Sequence, residues 1–116
     1  MNIDGRERFV ELTDDIKSLF LKKNAGYAGS NNPDPWANFR HSQGFGITPS
    51  SGVLVRISDK FARLQSLTRD PSNDQVGESR RDSAFDMAVY ALIYICILEE
   101  EEDKMKNLPL DKSSKI

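Results

Sequence analysis

Twelve consecutive residues without a charge, Met87 to Leu98, constrain this chain more than any other feature, and they lie inside ESRRDSAFDMAVYALIYICILEEEE from Glu78 to Glu102. A run of that length is too short to span a bilayer, so it predicts a helix buried inside protein on most of its sides. The first half of the stretch places Glu78, Asp82 and Asp86 at successive i, i+4 positions, three carboxylates on one helical stripe. With neighbours roughly 6 Å apart at an effective dielectric of about 20, each adjacent pair repels by about 3 kcal/mol. A positive counterpart must therefore stand opposite: Arg and Lys side chains, a divalent metal, or both.

The 116 residues make one domain, 1–116, with a flexible tail expected from about 105. Sixteen basic against eighteen acidic residues argue against a general polynucleotide binder, which carries a basic excess, but leave room for a small anionic ligand. The single Cys96 excludes a disulfide framework and a structural zinc site, and its place in the apolar run predicts a small buried hydrophobe. The opening MNIDGRERFVEL lacks a signal-peptide layout, so a cytoplasmic protein is expected.

In chain order, Asp4 with Glu7 resembles a capping box ahead of a first helix whose apolar face is Phe9, Leu12, Ile16, Leu19 and Phe20, ending at Asn24 and Gly26 after Lys22 and Lys23. Those lysines either complement the helix dipole or contact phosphate. A long connection from Gly26 to Thr48 follows, holding Tyr27, Trp36, Phe39 and Phe45, with a short helix expected over 36–41. Its aromatics either close a small core or offer a face on which a base stacks. Thr48 and Pro49 then cap a second helix with the apolar face Leu54, Ile57, Phe61 and Leu64, beside a stripe of Arg56, Asp59, Lys60 and Arg63. The polar turn 68–77 leads back to the apolar stretch. Three main helices and one structured aromatic loop predict an all-α bundle, completed by a homodimer that buries the Met87–Leu98 surface.

An antiparallel hairpin of the second and third helices sets the two charged stripes face to face. One reading is cross-bracing, with Asp82 and Asp86 paired to Arg56, Lys60 or Arg63 and no ligand. In the other, Asp59, Glu78, Asp82 and Asp86 hold Mg²⁺ or Mn²⁺ through hard oxygen donors while Arg56, Lys60, Arg63 and Lys23 contact the phosphates of a nucleotide, and Tyr27, Trp36 and Phe39 line the base pocket. Lone His41 has no assignable partner, and GSNNPDP lacks the Lys-Ser/Thr of a phosphate-binding loop.

The strings KKNAGYAGS, PWANFRHSQGFGITPSSGVLVRISDKFARLQSL and ESRRDSAFDMAVYALIYICILEEE resemble the phage nucleotide-modification-associated domain, family one, from about Phe9 to Glu102. The most specific parts are Arg56, Asp59, Lys60, Arg63, Leu64 and the series Glu78, Asp82, Asp86, Tyr90. That family is similar in layout to the all-α MazG and dimeric dUTPase-like nucleoside triphosphate pyrophosphohydrolases, in which carboxylates of two antiparallel helices bind Mg²⁺. The resemblance implies a catalytic role for Asp59, Glu78, Asp82 and Asp86, although the first motif's glutamate pair is absent and only Asp59 stands at the comparable place. Two further expectations remain beside hydrolysis: a non-catalytic protein that sequesters a nucleotide, such as a cyclic signal of host anti-phage defence, and an accessory subunit with purely structural stripes.

Overall fold

The computed structural model describes residues 4–28, 33–75 and 77–107, and the side chains of all of these except 25–28. Three α-helices, α1 (Gly5–Ala28), α2 (Pro49–Arg69) and α3 (Arg80–Lys106), are joined by 3₁₀ segments at Ala37–Phe45 and Pro71–Asn73, with no strand among the described residues. The chain is all-helical, and none of these helices is long and apolar enough to cross a membrane. The tail that sequence reasoning began near 105 is helical through Lys106, and residues 108–116 lie outside the described residues.

Local chemistry sets the helix ends. Asp4 Oδ1 accepts from the Arg6 amide at 2.9 Å, opening α1. The expected stop at Asn24 and Gly26 fails because the Asn24 amide is turned outward, donating to the Pro35 carbonyl at 2.7 Å, and the helix continues to Ala28. Thr48 caps α2 by accepting from the Ser51 amide at 3.2 Å, with Pro49 in the first turn where its missing N–H costs nothing. Ser79 and Asp82 form a capping box at the start of α3: Ser79 Oγ accepts from the Asp82 amide at 3.1 Å and Asp82 Oδ2 accepts from the Ser79 amide at 3.0 Å. Glu78 therefore precedes α3. The three acids read as one helical stripe are divided into one lead-in residue and two helical ones.

α2 and α3 form an antiparallel hairpin. At its open end the Ser50 amide and hydroxyl donate to Glu101 at 3.1 and 2.6 Å, and at its looped end Lys60 reaches Asp86 and Glu78. Between them Val53 and Ile97 are fully buried, joined in one core by Trp36, Phe39, Val89, Tyr90 and Ile93. The 3₁₀ segment Ala37–Phe45 lies on one side of this hairpin, where Trp36 Nε1 donates to Glu100 Oε1 at 3.1 Å and Arg40 bridges Asp34 and Glu100. Close approach is possible there because of Gly52, where a Cβ would come within 2.9 Å of Ser42 Oγ.

Ile16, Leu19 and Phe20 of α1 pack against the core, Phe20 with its ring centroid 5.9 Å from that of Trp36. Phe9, expected on the same face, is 70 % exposed, at a groove that the first half of α1 shares with Arg81, Ala84, Phe85 and Ala88 of α3. Two further expectations are corrected by the position of α3 against α2. Leu54 and Phe61 are 47 and 53 % exposed, since the α2 surface that meets α3 is centred on Val53, Lys60 and Leu67 instead. Cys96 is exposed, on the flank of α3 that faces an apolar groove beside α1.

Candidate functional site

The looped end of the hairpin and the second half of α1 enclose a cleft of about 570 Å³. α1 contributes Asp15, Leu19 and Lys23, α2 contributes Lys60, and the start of α3 with its lead-in contributes Glu78, Arg81, Asp82, Phe85 and Asp86. Asp15, Leu19 and Lys23 stand at i, i+4 and i+8, so one stripe of α1 forms a whole wall.

The floor of the cleft is an ion-pair chain. Asp86 is buried and holds two lysines, pairing with Lys23 through Oδ1 and with Lys60 through Oδ2 at 2.9 Å. Lys60 also donates to Glu78 at 2.7 Å, and Glu78 accepts from Ser83 Oγ at 3.0 Å. Behind them Arg63 donates to Asp74 at 2.7 Å and to the Glu78 carbonyl at 2.9 Å. Burial works to lower the pKa of Lys60, but hydrogen bonds to Glu78 and Asp86 outweigh it and leave the ammonium above its ordinary 10.5. A cation whose pKa is higher when folded stabilises the fold at every pH below its unfolded value, and that contribution is lost as pH rises through the folded value. Chemical denaturation as a function of pH should therefore show stability falling above about pH 10.5, with the fall reduced in Lys60→Met.

Asp82 behaves differently. It is exposed at the rim, and the Ser79 amide and hydroxyl that donate to it hold its carboxyl below the usual value. Its first duty is the helix cap.

The residues singled out from sequence thus divide. Lys23, Lys60, Glu78, Asp82 and Asp86 meet in the cleft, and Arg63 braces it from behind. Asp59 does not join them: it is exposed, next in sequence to Lys60 and so about 100° around α2, and it enters no ion pair among the described residues. Arg56 lies over the Phe39 ring at 5.0 Å, away from the cleft. Trp36 and Phe39, expected as a base platform, are 8 and 2 % exposed and belong to the core, while the Tyr27 side chain lies outside the described residues.

Sequence reasoning missed Asp15, Leu19, Arg81 and Phe85. The stripe of Asp15 and Lys23 was legible in the spacing of α1, but nothing local said which element it would face. Arg81 extends over the Phe85 ring at 4.8 Å and enters no ion pair among the described residues.

Of the four carboxylates expected to hold a metal, Glu78, Asp82 and Asp86 line the cleft and Asp59 does not. Among the described residues no group of three carboxylate, imidazole or thiol side chains stands close enough to hold a metal ion. Glu78 and Asp86 are paired with lysines, Asp82 serves the helix cap, and Asp59 is turned away.

No protein-family model matches this chain, and no curated protein or solved structure matches it. The reading of the cleft therefore rests on its own chemistry.

Proposed function

We propose that the cleft binds a nucleotide delivered together with its divalent cation, and that the protein captures this ligand instead of converting it. The observation that carries the reading is the lining itself: three cations, Lys23, Lys60 and Arg81, around a floor flanked by the apolar surfaces of Leu19 and Phe85. A volume of about 570 Å³ falls within the usual range for small-molecule sites. Phosphate oxygens suit the ammonium and guanidinium groups, and Phe85 and Leu19 offer apolar contact to a base or sugar.

Charge narrows the ligand further. Asp15, Glu78, Asp82 and Asp86 give the lining four carboxylates against three cations, so a bare polyphosphate meets a wall with a net negative charge. A cation-chelated phosphate meets opposite charges of both signs. Binding then exchanges the internal lysine–carboxylate pairs for pairs with the ligand, and the affinity is the difference between the two sets. This role places the protein in nucleotide or DNA-modification metabolism of the kind that the resemblance to the phage family implies, in the cytoplasm of the host.

Hydrolysis is the second reading, favoured by one observation: Asp15 brings a carboxylate from α1 to the cleft that holds Glu78, Asp82 and Asp86, so acids of two elements share one lining. One experiment decides between the two. Purified protein is incubated with a panel of nucleoside triphosphates and cyclic dinucleotides, with Mg²⁺ or with a chelator, and the mixture is assayed for binding by calorimetry and for released pyrophosphate. Capture predicts a Mg²⁺-dependent heat of binding, recovery of unaltered nucleotide on denaturation, and no pyrophosphate. Pyrophosphate release would establish the enzyme, and no binding to any member of the panel would end both readings.

A further inference from the structure

The face of the α2–α3 hairpin turned away from α1 carries two rows of residues at the spacing of a helical seam. On α3, Met87, Ala91, Tyr94 and Leu98 follow at intervals of four, three and four, and on α2 Leu54, Ile57, Phe61 and Leu64 follow at three, four and three. Neither row contains a charge. The opposite flanks of both helices are the covered ones: Gly52 and Arg56 of α2 lie against the 3₁₀ segment, and Phe85, Val89 and Cys96 of α3 line the cleft and groove beside α1. Leu54, Phe61 and Ala91 are exposed, and Ile57, Leu64, Met87, Tyr94 and Leu98 are only half-buried.

We propose that a second copy of this chain docks on this face, antiparallel about a two-fold axis crossing α3 near Ala91, so that two hairpins complete a four-helix bundle. The charges at the ends of the seam select the second copy and its direction. Arg80 lies eleven residues before Ala91 and Glu102 eleven residues after it, each about 16 Å along the helix. An axis across the helices sets Arg80 of one copy opposite Glu102 of the other, twice over. An axis along the helices instead gathers Arg69, Arg80 and their copies at one end and the acids 99–103 at the other.

The second row agrees with the same axis. The contacts Ser50–Glu101 and Lys60–Asp86 place Ile57 roughly level with Ala91, so Leu54 and Phe61 fall three and four residues to either side and meet each other across the axis. The cleft lies on the other side of the hairpin, and both copies keep theirs open. This inference is therefore independent of what the cleft binds.

Light scattering at tens of micromolar protein should give twice the 13.1 kDa of the chain. Phe61→Lys combined with Ala91→Glu should weaken association at least about a hundredfold and yield a monomer with unchanged helical circular dichroism, whereas Leu92→Lys, on the flank nearer α1, should remain dimeric. In a Cys96→Ser background, Ala91→Cys should form an inter-chain disulfide on mild oxidation and Arg80→Cys should not, its two copies standing about 33 Å apart along the helix direction. A monomeric parent chain, a dimer that survives the double substitution, or cross-linking through Arg80→Cys but not Ala91→Cys would overturn the proposal.

Discussion

Lys60→Met lowers stability by about 3 kcal/mol, the cost typical of breaking a buried ion pair from one side, and adding Asp86→Leu restores most of the loss. The asymmetry is physical. Asp86 is buried, so removing Lys60 leaves its carboxylate with Lys23 alone in a site of low dielectric, while Glu78 falls back on Arg63 and Ser83. Replacing both partners removes the buried carboxylate, leaves the partly exposed Lys23 to solvent, and adds apolar surface beside Val89 and Tyr90. The measurement is urea unfolding of the parent, both single variants and the double variant as a cycle. For a domain of this size the single change should lower the melting temperature by about 10 °C or more. A double variant no more stable than Lys60→Met would show that the lysine contributes packing and not charge compensation.

Arg81→Glu weakens nucleotide binding about a hundredfold, which is about 2.7 kcal/mol, without changing the melting temperature. The side chain is exposed and enters no ion pair among the described residues, so the fold does not depend on its charge. Reversing a charge roughly 5 Å from a phosphate at an effective dielectric of about 20 changes the interaction by several kcal/mol, and exposure to solvent and salt reduces that to the stated loss. Lys106→Glu is the control. It alters the net charge equally at the open end of the hairpin, about 37 Å from Arg81 along α3, and calorimetry should find its affinity close to that of the parent chain. An equal loss in both variants would mean that the protein's general field, and not the cleft, attracts the ligand.

Helix positions were legible where the signal was local. Thr48 with Pro49, and the turn-rich segment before α3, marked boundaries that the structure shows because caps act on amides only two or three residues away. Burial was less legible. Leu54, Phe61 and Ile57 share a face in any helix, but which angle of that face meets α3 depends on a partner distant in sequence. The candidate site shows the same division. The pairing of Lys60 with Asp86 followed from setting two stripes opposite each other, whereas Asp82, expected to pair with the same bases, serves the helix cap and Glu78 takes the lysine in its place. The third wall did not, because it required knowing that α1 crosses at Asp15 and Lys23; of the two readings open for the loop aromatics, Trp36 and Phe39 take the core one.

The acidic run 99–103 near the end of α3 sets the position of that helix. Glu100 is held by Trp36 and Arg40, and Glu101 by the Ser50 amide and hydroxyl at the first turn of α2. Adjacent residues on one helix thus dock to two different elements, and a slip of α3 by one turn, about 5.4 Å, would break both attachments at once. The pair works as a vernier: two neighbouring marks, each read against its own scale, that agree at only one setting of the longest helix.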